Sequence, residues 1–315
     1  MYKYYIFSIL FLIILIIRKK NISYILILLL LSYIGISYAG LIGTDVSSYK
    51  LAYERPDFIE FEPLFSFLIK ASKFLGLDFF EFSSAVAILQ VLILVYIGYS
   101  IKSPSFIVTY YFIFFYHFEF NAIRNGISLL FFGLFIISKY HKNRFIFLLI
   151  SIGLHYSALL NYIINYINNF KGKFISYLIF ILFIFIYFYS NQIISIIEGF
   201  ININNTYFDH LRMDVNFKSF YPVVVVKMLI ILYIFSMIKN YALTSLAFIL
   251  FLMIHIYNPL LIRIFDIILF IILLNFFRKK SDDLIIIAFA LLVNIAFILN
   301  VSSDCNGDSL QNWCI

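Results

Sequence analysis

Residues 22–42 read "ISYILILLLLSYIGISYAGLI", and this stretch decides the fold class. It contains no charged residue, and it is long enough to cross a hydrocarbon core of about 30 Å as a helix, which takes roughly 20 residues. Its apolar residues are continuous, whereas a membrane β-strand alternates apolar and polar positions. The stretch therefore predicts a transmembrane helix.

The composition extends this prediction to the whole chain. Hydrophobic residues make up 64% of the 315 positions, charged residues only 12%, and the mean hydropathy is +1.01. A water-soluble domain carries far more charge, and inside a bilayer every backbone polar group must be satisfied internally. We predict an all-α, polytopic integral membrane protein with about ten transmembrane helices, forming a single transmembrane domain over residues 1–315.

The basic residues set the predicted topology. The net charge is +7, but Lys and Arg cluster in short loops, which is typical of cytoplasmic segments and does not indicate nucleic-acid binding. Three clusters mark the inner side of the membrane, at residues 18–20, 139–144 and 278–280.

The polar segments lie on the predicted outer side. These are two large loops and a C-terminal tail, at residues 43–78, 191–221 and 302–315. The second half of the first loop has apolar residues at helical spacing with Lys70 and Lys73 on the other face, which predicts a helix lying at the membrane interface. The tail holds Cys305 and Cys314, and the sequence leaves open whether they form a disulfide.

Residues 145–170 do not fit a single crossing, because Arg144 precedes them and Lys171 and Lys173 follow. One span would place both lysines outside, against the pattern of the other basic clusters. We therefore predict a re-entrant helical hairpin that turns near "GLHYS" at residues 153–157. Non-helical backbone at membrane depth is tolerated where it lines a cavity.

Ionisable residues are scarce in this chain, and those inside or beside membrane segments tend to mark substrate paths or sites. The candidates on the predicted outer side are expected to converge on one external cavity. They are Asp45, Glu62, Arg124, His155, Arg263 and Asp266, with His210 and Arg212 in the second outer loop. Structural roles stay open for some of them: Asp266 can pair with Arg263 at i+3, and His155 can be a hydrogen-bonded core histidine.

Arg124 is the hardest of these residues to explain by structure alone. It lies where a helix is predicted to start, and the helix dipole there favours anions over cations. An anionic ligand nearby would account for it. The planar guanidinium suits phosphate, so Arg124 and Arg263 could hold a lipid-linked diphosphate. We find no nucleotide-binding loop and no acidic metal motif, so we expect neither a cofactor nor a metal.

Five ordered stretches resemble the EpsG-like branch of the O-antigen polymerases (Wzy). They are "GTDVSSYKLAYE", "EPLFSFLIK", "AIRNGISLLFFGLF", "LHYSALL" and "RIFDIILF", all within residues 43–270. The resemblance assigns Asp45 and Tyr49 to the first motif, Glu62 to a Glu-Pro pair, Arg124 to an Ile-Arg motif, His155 and Ser157 to a His-x-Ser element, and Arg263 to a late arginine. Asn125 stands where the family usually has glutamine.

The resemblance implies a metal-independent glycosyltransferase, with GT-C-like helices, in the bacterial inner membrane. Such an enzyme transfers the growing polysaccharide from undecaprenyl diphosphate onto the non-reducing end of a lipid-linked repeat unit, on the periplasmic face. A separate chain-length regulator is the expected protein partner, beside membrane lipids. Arg124 and Arg263 would bind diphosphate, while Tyr49, Asn125, Ser157, Asp266, His210 and Arg212 would support the site.

Two points remain open on the sequence alone. The base that accepts the proton of the acceptor hydroxyl could be Glu62, Asp45 or His155. The alternative functions are an O-antigen ligase, which performs the same chemistry on a lipid A-core acceptor, and a flippase or transporter of lipid-linked oligosaccharide. Transporters often carry internal repeats and broken helices in both halves, and only residues 145–170 indicate a break here.

Overall fold

The computed structural model describes residues 2–16, 20–41, 46–55, 61–115, 122–169, 221–238, 241–254, 259–280 and 282–304. These residues contain helices and no strand, so the all-α prediction is confirmed for this part of the chain. In chain order the helices are α1 (Tyr2–Ile16), α2 (Lys20–Tyr38), α3 (Val46–Glu54), α4 (Pro63–Phe74), α5 (Phe79–Ser100), α6 (Pro104–Tyr110), α7 (Ile123–Ile137), α8 (His141–Leu154), α9 (Ser157–Asn169), α10 (Tyr221–Ile238), α11 (Tyr241–Ile254), α12 (Pro259–Lys279) and α13 (Leu284–Asp304).

The chain divides into two compact units. The first contains residues 1–162 and 274–315, and the second contains residues 163–273. The candidate site described below lies within the first unit. The predicted assignment of the whole chain to one transmembrane domain stays a prediction.

Two of the described helices are long and apolar enough to cross a membrane, at Asn21–Tyr38 in α2 and Phe79–Ser100 in α5. Further apolar helices are shorter, and they are Ile6–Ile16, Pro104–Phe115, Ile123–Ile137, Val223–Ile238 and Leu284–Ala296. The helical structure of the described residues and the composition of the chain fit a membrane protein. The predicted number of crossings and the GT-C-like arrangement stay predictions.

Helix α5 is the centre of the first unit, because it packs against both α2 and α7. A capping box fixes its start: the Asp78 side chain accepts from the Glu81 amide, and the Glu81 side chain accepts from the Asp78 amide. Further along, the buried Gln90 donates through Nε2 to the carbonyl of Ile123 at 3.3 Å. This bond ties the first residue of α7 to α5.

The described part of the predicted first outer loop, residues 43–78, contains two helices. Helix α4 is amphipathic, as predicted: Phe65 and Ile69 are buried, whereas Phe67 and Phe74 are 61% and 91% exposed. Helix α3 packs beside it, and the Tyr53 hydroxyl donates to the carbonyl of Leu77 at 2.6 Å. The two helices therefore form a folded cap on the start of α5, while the predicted contact of α4 with a lipid interface stays a prediction.

Helices α7 and α8 form a hairpin joined by residues 138–140. The prediction of a break within residues 153–157 is confirmed, because α8 ends at Leu154 and α9 starts at Ser157. Between them His155 has extended backbone, with φ −160° and ψ 128°. The extended backbone takes His155 out of the helical path of α8. The re-entrant placement in a membrane stays a prediction.

In the second unit, α10 and α11 pack together, and α10 is also joined to α12 by an ion pair. Lys227 on α10 donates through Nζ to Asp266 Oδ1 on α12 at 2.7 Å. Both side chains are buried, at 6% and 1% exposure. The pair joins two apolar helices by their charged groups.

Candidate functional site

Glu62 lies at the N-terminus of α4, immediately before Pro63. Proline is favoured at the first helical position because its missing N–H leaves no bond unmade there. The Glu62 side chain does not cap its own helix. It is 6% exposed and its carboxylate meets two side chains, one from α7 and one from the end of α8.

Arg124 is the second residue of α7, and its Nη1 donates to Glu62 Oε2 at 2.5 Å. The guanidinium carbon lies 4.0 Å from the centre of the Phe61 ring and 5.8 Å from that of Tyr49. Aromatic faces stabilise a cation at such distances. The carboxylate and the two rings together offset the unfavourable position of a cation at a helix N-terminus. The anion beside Arg124 in this structure is thus a protein carboxylate.

His155 binds the other oxygen of the same carboxylate, with Nδ1 at 2.5 Å from Glu62 Oε1. An ionised carboxylate only accepts hydrogen bonds. Nδ1 must therefore carry the proton in this pair, and Nε2 remains as the second nitrogen of the ring. The side chain is 24% exposed, which leaves part of the imidazole accessible.

The environment of Glu62 favours its charged form. Burial raises the pKa of the carboxyl group, but the hydrogen bond from His155 and the positive charge of Arg124 together outweigh burial and lower the pKa to about 2. Glu62 is therefore ionised at neutral pH, and its conjugate acid is too strong for the carboxylate to be an effective base there.

Three predicted supporting residues lie around this cluster. Ser157, at the start of α9, donates through Oγ to Asn125 Oδ1 at 3.0 Å. Asn125 directly follows Arg124 and is 3% exposed. Tyr49 on α3 is 7% exposed and its ring also packs against Phe61, with 5.7 Å between ring centres. The structure thus brings together residues from α3, α4, α7 and the α8–α9 break.

Residues 22–313 match the model of a described protein family. The chain belongs to the EpsG family. The resemblance predicted from the ordered motifs is confirmed. The chain matches no curated protein and no solved structure.

Some predicted site residues of this EpsG-family chain lie outside the described residues. Asp45, His210 and Arg212 lie outside the described residues, as do residues 191–220 of the second predicted loop and both cysteines. Arg263 lies on α12, but its side chain is not among those that the structure describes. Asp266 is described, and its partner across helices is Lys227, whereas the partner predicted from the sequence was Arg263 at i+3. In the described part of the chain, no three metal-ligating side chains are grouped to hold a metal ion.

Two residues that were not predicted from the sequence contact predicted site residues: Phe61 contacts Arg124, and Lys227 contacts Asp266. Phe61 supplies the ring nearest to Arg124, and nothing in the sequence separates it from the other 39 phenylalanines. Lys227 did carry a signal, because it is a lone cation in the apolar run "PVVVVKMLIILYIF". A charge in such a run is expensive unless it is paired, so the sequence predicts a partner without identifying it.

Proposed function

We propose that this EpsG-family chain is a polysaccharide polymerase of the bacterial inner membrane. It transfers the growing polysaccharide from undecaprenyl diphosphate onto the non-reducing-end sugar of a second lipid-linked repeat unit, on the periplasmic face. The observation that carries the proposal is the meeting of Arg124 and His155 on one buried carboxylate, Glu62. Family membership and the apolar, helical chain support a membrane protein of polysaccharide biosynthesis.

The proposed reaction needs a cation and a base. The acceptor hydroxyl oxygen bonds to the anomeric carbon of the donor sugar, and the bond from that carbon to the diphosphate oxygen breaks. The hydroxyl proton passes to a base, and undecaprenyl diphosphate leaves with the bonding electron pair. A positioned cation stabilises the charge that develops on the leaving group, and a positioned base accepts the proton.

Arg124 is the proposed cation. Its Nη1 is bound to Glu62, and the side chain as a whole is 24% exposed, so part of the guanidinium is accessible to a ligand. A guanidinium presents several N–H donors in one plane and binds phosphate oxygens in a forked geometry. Arg124 can therefore keep its bond to Glu62 and still offer a donor to a diphosphate. The role of Arg263 as a second diphosphate ligand stays a prediction.

His155 is the proposed base, with Glu62 as its orienting partner. Since both Glu62 oxygens accept from cationic or protonated groups and its pKa is about 2, Glu62 is poorly suited to take a proton near neutral pH. The Nδ1–H bond to Glu62 fixes the tautomer of His155, which leaves Nε2 to accept a proton. Asp45 lies outside the described residues, and its possible role as the base stays a prediction.

A reconstitution tests the proposed function. The purified protein is placed in vesicles with lipid-linked oligosaccharide extracted from cells that lack this chain. We expect polymer longer than one repeat unit to form on the lipid, together with free undecaprenyl diphosphate. Movement of the oligosaccharide across the vesicle membrane without elongation would identify a flippase instead. Attachment only to an added lipid A-core acceptor would identify a ligase.

A further inference from the structure

The α7–α8 hairpin contains a pair of serines that bond to each other's helix in both directions. Ser128 Oγ donates to the carbonyl of Ser151 at 2.9 Å, and Ser151 Oγ donates to the carbonyl of Ser128 at 2.7 Å. The two hydroxyl oxygens are themselves 3.1 Å apart. Both side chains are fully buried. Such a pair fits only one register of the two helices.

This register places Arg124 and His155, the two partners of Glu62, at the same height along the axis of the hairpin. Ser128 lies one turn after Arg124 on α7, and Ser151 lies one turn before His155 on α8. Because the helices run antiparallel, Arg124 and His155 lie at the same end of the hairpin, about 6 Å along the axis from the serines. Towards the other end, Arg144 packs over the Phe135 ring at 4.9 Å in the same register.

The serine pair also reaches His155 through the backbone. The carbonyl of Ser151 accepts the His155 amide at 3.0 Å as well as the Ser128 hydroxyl. This amide bond is the last one of α8 before the chain leaves the helix. The Ser128 hydroxyl therefore binds the Ser151 carbonyl, which is also the acceptor of the His155 amide.

Gly153 lets the same end of α8 approach α4. A Cβ added at Gly153 would lie 3.1 Å from Leu64 Cβ, which is tighter than ordinary packing. Gly153 precedes His155 by two residues, and Leu64 follows Glu62 by two. The close approach at Gly153 thus brings His155 within bonding distance of Glu62.

We propose that Ser128, Ser151 and Gly153 are positioning residues of this site. The serine pair sets the register in which Arg124 and His155 lie at the same height along the two helices. Gly153 sets the distance from α8 to Glu62. This inference rests on the proposed polymerase function. It predicts that loss of the serine pair or of the glycine slows the chemical step while leaving substrate binding and folding largely intact.

The experiment compares kcat and KM, measured in the vesicle assay above, and the thermal midpoint of unfolding, measured in detergent. Either Ser128→Ala or Ser151→Ala leaves one bond of the pair, so each should lower kcat by less than about threefold. The double variant should lower kcat by at least about tenfold with KM within about twofold, since small misplacements of reacting groups are costly. A loss larger than the product of the single losses identifies the pair as a unit.

Gly153→Ala separates positioning from folding. Alanine has the higher helix propensity, so the thermal midpoint should not fall by much, while the new Cβ should push α8 from α4 and lower kcat by about fivefold or more. Ser8→Ala is the matched control. It removes a buried interhelical bond to Asn294 Oδ1 (2.9 Å) away from the site and should leave kcat unchanged.

Two results would overturn the inference. One is a wild-type kcat in both the double serine variant and Gly153→Ala. The other is a fall in kcat that matches the loss of folded protein in every variant, Ser8→Ala included. Arg124→Ala, run beside them, separates this outcome from failure of the proposed function. If Arg124→Ala is inactive while the positioning variants are normal, only the inference fails; if the wild-type chain forms no polymer, the function itself fails.

Discussion

Arg124 and Glu62 are 62 residues apart in the chain, and their Nη1 and Oε2 atoms lie 2.5 Å apart. The carboxylate is 6% exposed and the arginine 24% exposed, so water competes little for this bond. In a poorly solvated environment a charge-assisted hydrogen bond is stronger than at the surface. An electrostatic contact therefore links the N-terminus of α4 to the start of α7, and His155 contacts the same carboxylate.

Replacing Arg124 should abolish polymer formation. Arg124→Ala removes the proposed diphosphate ligand and leaves Glu62 with one partner. Arg124→Lys retains the charge but lacks the planar fork and the stacking on Phe61, so we expect at least about a tenfold loss of kcat there as well. Arg55→Ala is the control, because Arg55 is an exposed arginine in the same loop. Normal chain lengths from both Arg124 variants would remove Arg124 from the mechanism.

Replacing His155 tests its proposed role as base. His155→Ala should lower kcat by about a hundredfold, within the range attributed to general base catalysis, and added imidazole should restore part of the activity. His141→Ala is the control, since His141 is an exposed histidine at the start of the same hairpin arm. If His155→Ala retains full activity, the base must be sought among the carboxylates, with Asp45 the first to replace.

The Glu62→Gln substitution should destabilise the protein as well as inactivate it. Glutamine keeps the shape but loses the charge, which leaves Arg124 as a partly buried cation without its anion. We expect a loss of about 1–3 kcal/mol in the free energy of unfolding in detergent. Glu54→Gln is the control. The Glu54 side chain is 56% exposed and lies 4.0 Å from Lys50, and an exposed pair of this kind contributes little.

The stability difference between wild type and Glu62→Gln should depend on pH. Folding lowers the pKa of Glu62 from 4.5 to about 2, so the unfolded state binds a proton more readily. The stabilisation is fully present above about pH 4.5 and is lost as the pH falls towards about 2. It amounts to at most about 3.5 kcal/mol at 1.4 kcal/mol per pKa unit. Unfolding measured from pH 7 downwards should show the gap narrowing below pH 4.5, and a constant gap would contradict the proposed charge contacts of Glu62.

Parts of the fold could be predicted because local signals agreed with the packing. Helix α5 begins where the sequence has Asp78 and Glu81 three residues apart before an apolar run, a pattern typical of a helix N-terminus. The apolar stretch that begins at Pro104 is less regular: α6 ends at Tyr110 and a π-helical turn follows over residues 111–115. These five residues are all buried and mostly aromatic, and their fit depends on neighbouring helices, which the local sequence does not encode.

The site was predictable to the extent that charges stand out in an apolar chain. Glu62, Arg124 and His155 were predicted to converge, and the structure places them in contact, while their chemical roles stay predictions. The sequence left open the base and considered a ligand as the anion beside Arg124. The pairing of each Glu62 oxygen with its partner depends on the distances between α4, α7 and α8. Those distances are set by close contacts such as the one between Gly153 and Leu64.

The pair of Lys227 and Asp266 provides a test of the second unit that does not depend on activity. Asp266 is 1% exposed, so Lys227→Ala leaves a carboxylate without its cation inside apolar helices. Removing one partner of a buried pair costs about 3–5 kcal/mol, whereas replacing both by apolar residues of similar volume is often neutral. We expect Lys227→Ala to lower the thermal midpoint in detergent strongly, and the combined Lys227→Met and Asp266→Leu variant to recover most of the loss. A double variant as unstable as the single one would mean that Lys227 or Asp266 stabilises the unit through other partners.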